Sequence, residues 1–318
     1  MTTRQVEHEI TVDAPAGAVY RLIAQVENWP RIFPPTIHVD RVEHGTDRER
    51  IRIWATAGDQ AKQWTSLRTL DAQHRRITFR QEISAPPVAE MGGTWIVEVL
   101  SADTCRLRLL HDYRAIGDDP VGLAWIDEAV DRNSRSELAA LKANVERVRA
   151  EAELTLSFED TVLVDGSAKD LYDFVNEAHL WPRRLPHVAD VELSEPEPGL
   201  QSLRMHTRAK DGSTHLTHSY RVCLPHREII YKQTTLPALM TLHTGRWTFL
   251  SAAHDMVAAT SQHTVVLNPE NIERVLGAGA TVADARAYVH GALSTNSLAT
   301  LTHAKDHAEG AQPQRIRN

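Results

Sequence analysis

The sequence predicts an α+β protein made of two tandem copies of one domain, each a curved antiparallel sheet wrapped around a long C-terminal helix. Three observations predict it. First, the chain repeats itself at an offset of 152 residues: Trp29-Pro30-Arg31 returns as Trp181-Pro182-Arg183, Asp13 as Asp165, Tyr20 as Tyr172, His74-Arg75 as His226-Arg227, Gly93 and Trp95 as Gly245 and Trp247, His111 as His263, and Asn144 as Asn296. A period this long is a duplicated domain, because solenoid repeats are far shorter. Second, short alternating runs follow one another with only turn signals between them. Such runs pair antiparallel, since parallel pairing requires crossover helices. Third, each copy ends in a long stretch of helix formers.

In the first copy, Val6-x-His8-x-Ile10-x-Val12 alternates as a strand, and Asp13-Ala14-Pro15 ends it with helix-start residues. Val19, Leu22, Ile23 and Val26 have helical spacing, and Pro30, Pro34 and Pro35 stop that helix. From Ile37 to Arg114 about six strands are separated by turn signals such as His44-Gly45, Gly58-Asp59 and Gly92-Gly93. Residues from Leu123 to Ala152 then read as one helix, with Leu138, Leu141, Val145 and Val148 on one face. The second copy repeats the order from Leu156 to a final helix near Ala283–His307. The expected division is 1–152 and 153–310, with a disordered tail over 311–318.

At 318 residues the chain has the length of about two domains, each able to bury its own core. Apolar residues at 42% and charged residues at 24% describe a soluble globular protein. A net charge of −7 argues against a nucleic-acid partner. No apolar run approaches the roughly 18 residues of a membrane span, and MTTRQVEHEI lacks the apolar core of a signal peptide. A cytoplasmic protein without a membrane partner is therefore expected. Cys105 and Cys223 are not twins, and the reading is two reduced structural thiols.

A sheet curved over a helix encloses a cavity, and strand alternation says which residues share a face. Trp64, Ser66 and Arg68 form one stripe; the opposite face, Thr65, Leu67 and Thr69, is no more polar, so periodicity leaves the direction open. On the following strand Thr78, Arg80, Glu82 and Ser84 oppose Ile77, Phe79, Gln81 and Ile83. Leu107, Leu109, His111 and Tyr113 make the most apolar face of the seventh strand, which points His111 inward, as a core histidine or as a catalytic one. Asn144 and Asn296 recur in the long helices although Asn is a mediocre helix former, which suits an inward hydrogen-bonding role. Trp29, Trp95, Trp181 and Trp247 read as core fillers that can also wall a cavity. The 17 histidines contain no compact metal-ligand set, and no phosphate loop, dinucleotide fingerprint or nucleophile elbow is present. Neither metal nor cofactor is expected. Side chains alone must then act on a substrate that is already reactive.

The duplicated strand–helix–sheet–helix order resembles the helix-grip fold of START-like domains. Within that superfamily the chain resembles a di-domain aromatase/cyclase of bacterial aromatic (type II) polyketide biosynthesis over nearly its whole length. The carriers are Trp29-Pro30, Trp64-x-Ser66-x-Arg68, Met91 with Trp95, and Asn144-Val145-Glu146-Arg147. The resemblance implies a poly-β-ketone bound to an acyl carrier protein, with closure of a first ring by aldol addition, dehydration and enolisation. On that reading Arg68 stabilises the developing oxyanion, being always protonated. His111 is the acid/base by intrinsic pKa, and Glu82 is the alternative base if it faces inward. Ser66 and Asn144 position carbonyls or a water, while Trp29, Trp64, Met91 and Trp95 shape the cavity.

At the 152-residue offset the second copy places Leu216, His218 and Tyr220 at the stripe, Thr234 at Glu82 and His243 at Met91. It would thus lose the fixed positive charge, which makes the N-terminal domain the expected catalytic one. Trp181, His218, Tyr220, Trp247, His263 and Asn296 are then the expected second set of binding residues. The rival class is a non-enzymatic carrier of a hydrophobic ligand, since fold does not fix function. Such a carrier wants an almost wholly apolar cavity.

Overall fold

The computed structural model describes residues 3–58, 60–208 and 214–310, the side chains of 146–152 and of residue 255 excepted. The expected disordered tail, 311–318, lies outside the described residues. The chain divides into two compact units, Met1–Arg149 and Ala150–Asn318.

The first unit runs β1 (Arg4–Val12), α1 (Ala16–Ala24), α2 (Trp29–Ile32), β2 (Thr36–His44), β3 (Arg48–Ala57), β4 (Gln60–Asp71), β5 (Arg76–Ile83), β6 (Val88–Val99), β7 (Cys105–Ala115) and α3 (Pro120–Leu154). Its sheet has the order β1-β7-β6-β5-β4-β3-β2, antiparallel throughout. Strands β2 to β7 form a meander, and β1 returns to pair with β7, so the seventh strand anticipated from alternation has a neighbour on both sides. Alternation fixes the inner face: Cys105, Leu107, Leu109 and Tyr113 of β7 are buried, and Leu138 and Leu141 of α3 pack into the same core as Leu107 and Leu109. Leu141 is fully buried; truncating such a leucine to alanine removes about 2–5 kcal/mol.

The second unit repeats the plan: β8 (Thr155–Val164), α4 (Ala168–Asn176), α5 (Trp181–Arg184), β9 (Val188–Glu197), β10 (Leu200–Arg208), β11 (Thr214–Leu224), β12 (Glu228–Thr235), β13 (Met240–Ser251), β14 (Val257–Leu267), a short α6 (Ile272–Leu276) and α7 (Val282–Gly310). Its sheet order is β8-β14-β13-β12-β11-β10-β9. Ser167 caps α4, its hydroxyl accepting from the Asp170 amide at 3.0 Å. Both cysteines are free and buried. Among the described residues no helix is long and apolar enough to cross a membrane.

Two length differences break the simple repeat. Arg208 pairs with Thr214 across five intervening residues, whereas Ala57 pairs with Gln60 across two. The next turn compensates, with three residues between Leu224 and Glu228 against four between Asp71 and Arg76. The register shows the net shift: Glu49 pairs with Arg68, whereas Gln201, 152 positions on, pairs with Arg221, 153 positions on. Strand β11 is thus one residue out of step with the offset, and a one-residue slip reverses which side chains face inward. Further on, α6 and its flanking turns are added between β14 and α7, where the first unit has only 116–119. In the helices the structural partners are 163 positions apart: Asn133 matches Asn296, Ser134 matches Ser297 and Leu138 matches Leu301.

Candidate active site

Each unit encloses a cavity between the inner face of its sheet and its long helix. In the N-terminal unit two adjoining hollows of ≈140 and ≈100 Å³ share Trp29, Ile53, Trp64, Gln81, Met91, His111 and Glu137 as walls. On the same measure a single water needs roughly 10–15 Å³, so the space holds several waters or part of an organic ligand.

The stripe on β4 faces inward, which resolves the direction that alternation left open: Trp64, Ser66 and Arg68 all line the smaller hollow. Arg68 is 1% exposed. Its Nη1 donates to Glu49 Oε1 at 2.7 Å and its Nη2 to the Ile23 carbonyl at 2.9 Å. The guanidinium carbon lies 4.9 Å from the centre of the Trp29 ring, and the Trp29 indole N–H donates to the same carbonyl at 3.1 Å. Register makes this possible, since Glu49 on β3 lies directly opposite Arg68 on β4. Burial lowers the Arg68 pKa to about 10, Glu49 acting against that shift, so the group stays charged at neutral pH.

His111 faces inward as the apolar face of β7 required. Its imidazole makes no hydrogen bond to any described residue, and Nδ1 is buried without a partner among them. Its ring meets Phe79 edge-on at 5.5 Å. Burial, reinforced by His8, pushes its pKa down to about 4, so the imidazole is neutral and keeps a free basic nitrogen. Trp29, Trp95 and Phe33 pack as one aromatic wall, with Phe33 5.3 Å from Trp29 and 6.0 Å from Trp95. Met91 accepts from Gln81 Nε2 at 3.4 Å.

Two expected residues lie elsewhere. Glu82 is on the outer face of β5, forked with Arg50 at 2.6 and 3.1 Å, while its neighbours Phe79 and Gln81 take the inner face. Glu82 therefore does not face this cavity. Asn144 is not in the cavity wall: the lining residues of α3 end at Glu137, about two helical turns earlier. The helical asparagine in the wall is Asn133, which donates to the Thr56 carbonyl at 3.1 Å.

Glu137 was not anticipated. It lines both hollows, and its carboxyl has no hydrogen-bond or ion-pair partner among the described residues. Burial alone pushes its pKa up to about 8. A signal for it was present. Ile126, Ala129, Val130, Asn133 and Glu137 follow one helical face, and a carboxylate at the end of an apolar stripe marks either a buried partner or a reactive site.

The C-terminal cavity is larger, ≈420 Å³. Trp181, Trp247, His263 and Asn296 line it as expected. His218 and Tyr220 do not. They lie on the opposite face of β11, where His218 Nε2 meets Ser202 Oγ at 2.8 Å and its ring sits 4.8 Å from Tyr220. The inward residues of β11 are Thr217, Ser219 and Arg221. The second unit therefore keeps its fixed positive charge: Arg221 is the counterpart of Arg68, 2% exposed, donating Nη2 to the Val175 carbonyl at 2.7 Å over the Trp181 ring at 5.3 Å. Beyond it, Tyr231 Oη lies 2.9 Å from His263 Nδ1 and 3.3 Å from His243 Nε2, and His263 Nε2 lies 2.7 Å from Ser297 Oγ. Among the described residues no cluster of three or more His, Cys, Asp or Glu could hold a metal ion.

A seven-stranded sheet gripping a long helix, twice over and each time around a largely apolar cavity set with a few polar side chains, defines a tandem helix-grip protein of the START-like class. Residues 3–146 match the family described as polyketide cyclase/dehydrase and lipid transport. The granaticin polyketide synthase bifunctional cyclase/dehydratase of Streptomyces virginiae is 57% identical over 300 residues, 94% of this chain and 98% of that protein. The actinorhodin polyketide synthase bifunctional cyclase/dehydratase of Streptomyces coelicolor is 46% identical, covering 94% and 95%. Among solved structures, the di-domain ARO/CYC BexL of the BE-7585A biosynthetic pathway is 68% identical with a TM-score of 0.86, covering 98% of this chain and all of that one. The di-domain ARO/CYC StfQ of the steffimycin pathway is 34% identical with a TM-score of 0.84, covering 96% and 98%. The chain belongs to this family, the di-domain aromatase/cyclases, or cyclase/dehydratases, of type II polyketide synthases.

Proposed function

We propose that the N-terminal cavity closes and aromatises the first ring of a poly-β-ketone delivered by an acyl carrier protein. The observation that carries this reading is Glu137 and His111 facing one hollow with no hydrogen-bond partner for either side chain among the described residues, beside a wall that holds Arg68. Ring closure needs a base for an acidic CH₂ and positive charge where a ketone becomes an alkoxide; dehydration needs an acid for the departing hydroxyl. The neutral imidazole of His111 takes the CH₂ proton as the new carbon–carbon bond forms, and the imidazolium returns it to the alkoxide to give the hydroxyl. Arg68, with two of its five N–H donors engaged by protein, stabilises the alkoxide electrostatically. Glu137, which holds its proton at neutral pH, protonates the leaving hydroxyl as the adjacent ring carbon gives up its proton, so that water departs and the carboxyl is reprotonated. Transfer of a further ring-carbon proton to the carbonyl oxygen gives the enol. Ser66 orients a carbonyl, while Trp29, Trp64, Met91 and Trp95 hold the chain folded and exclude water. A carrier of apolar ligands would have no use for an unpartnered carboxyl in its wall, since an unpaired polar group is costly to bury.

For the carrier protein, the exposed Arg31 and Arg183 on α2 and α5 supply local positive charge to an acidic partner. Arg184 does not, being tied to Glu177 at 2.8 Å and stacked on Phe174.

The test is reconstitution with a minimal polyketide synthase, with the full chain, without it, and with His111→Phe or Glu137→Gln. The full chain should redirect the product distribution, His111→Phe should restore the distribution seen without it, and Glu137→Gln should accumulate ring-closed but hydrated product. An unchanged distribution on adding the full chain would remove the enzymatic reading of this cavity.

A further inference from the structure

The two buried arginines differ in what faces them. Glu49 lies opposite Arg68 and accepts from its guanidinium at 2.7 Å, the same carboxylate pairing with Arg41 at 2.8 Å. Opposite Arg221, at the matching register position, stands Gln201. Its Nε2 is turned away, donating to Glu195 Oε2 at 2.7 Å and Asn176 Oδ1 at 3.2 Å, and its Oε1 has no donor. Arg221 Nη1 is likewise buried without an acceptor. Among the described lining residues of the C-terminal cavity Arg221 is the sole Arg or Lys, and no Asp or Glu is present. The other groups around it supply no counter-charge: Tyr172 and Cys223 are pushed up by burial and stay neutral, and Glu195 is exposed and reaches Arg221 only across Gln201. A buried charge is retained only when something compensates it.

We propose that the C-terminal cavity is a binding site for an anionic oxygen on a ring-bearing ligand, with Arg221 as its counter-ion. The charge, left open by Gln201, selects an enolate, phenolate or carboxylate over a ketone of the same shape. The indoles of Trp181 and Trp247 and the Tyr231 ring give planar apolar walls. Tyr231, His243 and His263 form a hydrogen-bonded relay in the same wall, able to take or return a proton as the bound oxygen changes state. This inference does not depend on the N-terminal cavity being the site of ring closure.

Calorimetric titration of the full chain with 2-naphthoate and with its neutral isostere 2-acetylnaphthalene tests it. The unmodified chain should bind the carboxylate at least about tenfold more tightly, the scale of one charge-assisted pair. Gln201→Glu places a carboxylate at the register position that Glu49 holds opposite Arg68, in exchange for the Gln201 bonds to Glu195 and Asn176. It should weaken 2-naphthoate about tenfold or more and leave 2-acetylnaphthalene within about twofold, as should Arg221→Met. Equal affinity for the two ligands in the unmodified chain, or an anion preference that survives both variants, overturns the proposal. Should both variants lose their thermal unfolding transition, crystals of the unmodified chain soaked with 6-bromo-2-naphthoate decide it. The carboxylate on Arg221 supports the site, and bromine absent from the C-terminal cavity rejects it.

Discussion

Arg68 and Arg221 occupy the same place in the two domains: each guanidinium donates to the carbonyl of a helical residue, Ile23 or Val175, and lies over the indole of a Trp-Pro pair. Only Arg68 has a carboxylate partner, and that pair is buried on both sides, at 2% side-chain exposure each. Glu49 also pairs with Arg41 at 2.8 Å, so losing Arg68 leaves the carboxylate compensated and costs less than the about 3–5 kcal/mol of an orphaned buried charge. Arg68→Met should therefore lower the denaturation midpoint modestly, and adding Glu49→Gln should recover little of the loss, because Arg41 then loses its buried carboxylate partner. Chemical denaturation of the two variants measures the difference.

Glu137 gives the activity an alkaline limb. Its proton is held up to about pH 8, so a step that needs the acid form should fade as pH rises through that value, and Glu137→Gln should flatten the limb. Stability moves with it. The unfolded chain releases this proton near the ordinary 4.5 and the folded chain only near 8, so the native state binds more protons between those values and loses stability as pH rises. Glu137→Gln should be more stable than the unmodified chain at pH 8, by a few kcal/mol at most, and equal to it at pH 4. Thermal melts across that range show it.

The buried histidines act at the acid end. His111 and His263 are held down to about 4 and His243 to about 3, chiefly by burial. The unfolded chain takes up these protons near 6.5 and the folded chain does not. Stability is thus complete above about pH 6.5 and is lost as pH falls toward 4. Replacing His111 with Phe should shallow that decline in a urea-denaturation series.

Much of this architecture is legible in the sequence, and the failures have physical causes. Alternation on β7 placed His111 inward, because Leu107 and Leu109 needed burial. Trp64, Ser66 and Arg68 shared a face as expected; only their direction awaited the fold. The gapless repeat misled where turn lengths differ. A net one-residue shift of register between β10 and β11 reversed β11, so His218 and Tyr220 stood in for Thr217, Ser219 and Arg221. In the helices the shift from 152 to 163 positions is eleven residues, close to three turns at 3.6 residues per turn. The apolar face therefore stays in phase, and Asn144 stood in for Asn133. Glu82 failed for a simpler reason: β5 offers two faces of mixed polarity, and the cross-strand pair with Arg50 decides between them.

Glu82→Gln is accordingly predicted to be silent in the product assay. Its partner Arg50 is on the outer surface, and exposed pairs contribute about 0–1 kcal/mol. A changed product distribution in this variant would place the reactive chemistry outside the cavity described.

Gly93 and Gly245 are retained in both copies because backbone stands where a side chain would go. A Cβ at Gly93 would lie 2.0 Å from the Leu110 carbonyl oxygen and 2.6 Å from the Phe79 ring; at Gly245 it would lie 2.4 Å from the Gln262 oxygen. Alanine at either should destabilise its own domain by about 1–3 kcal/mol or more, seen as a lowered midpoint in differential scanning calorimetry.

The central claim is that ring closure takes place against Arg68, and parallel product profiles of Arg68→Met and Arg221→Met in the reconstituted synthase test it most directly. With folding verified by circular dichroism, Arg68→Met should give the uncyclised and misfolded products of the reaction lacking this chain, a loss of about 10²–10³ in the redirected product. Arg221→Met should still deliver a closed first ring. A normal profile from Arg68→Met, with ring closure lost in Arg221→Met instead, would contradict the account.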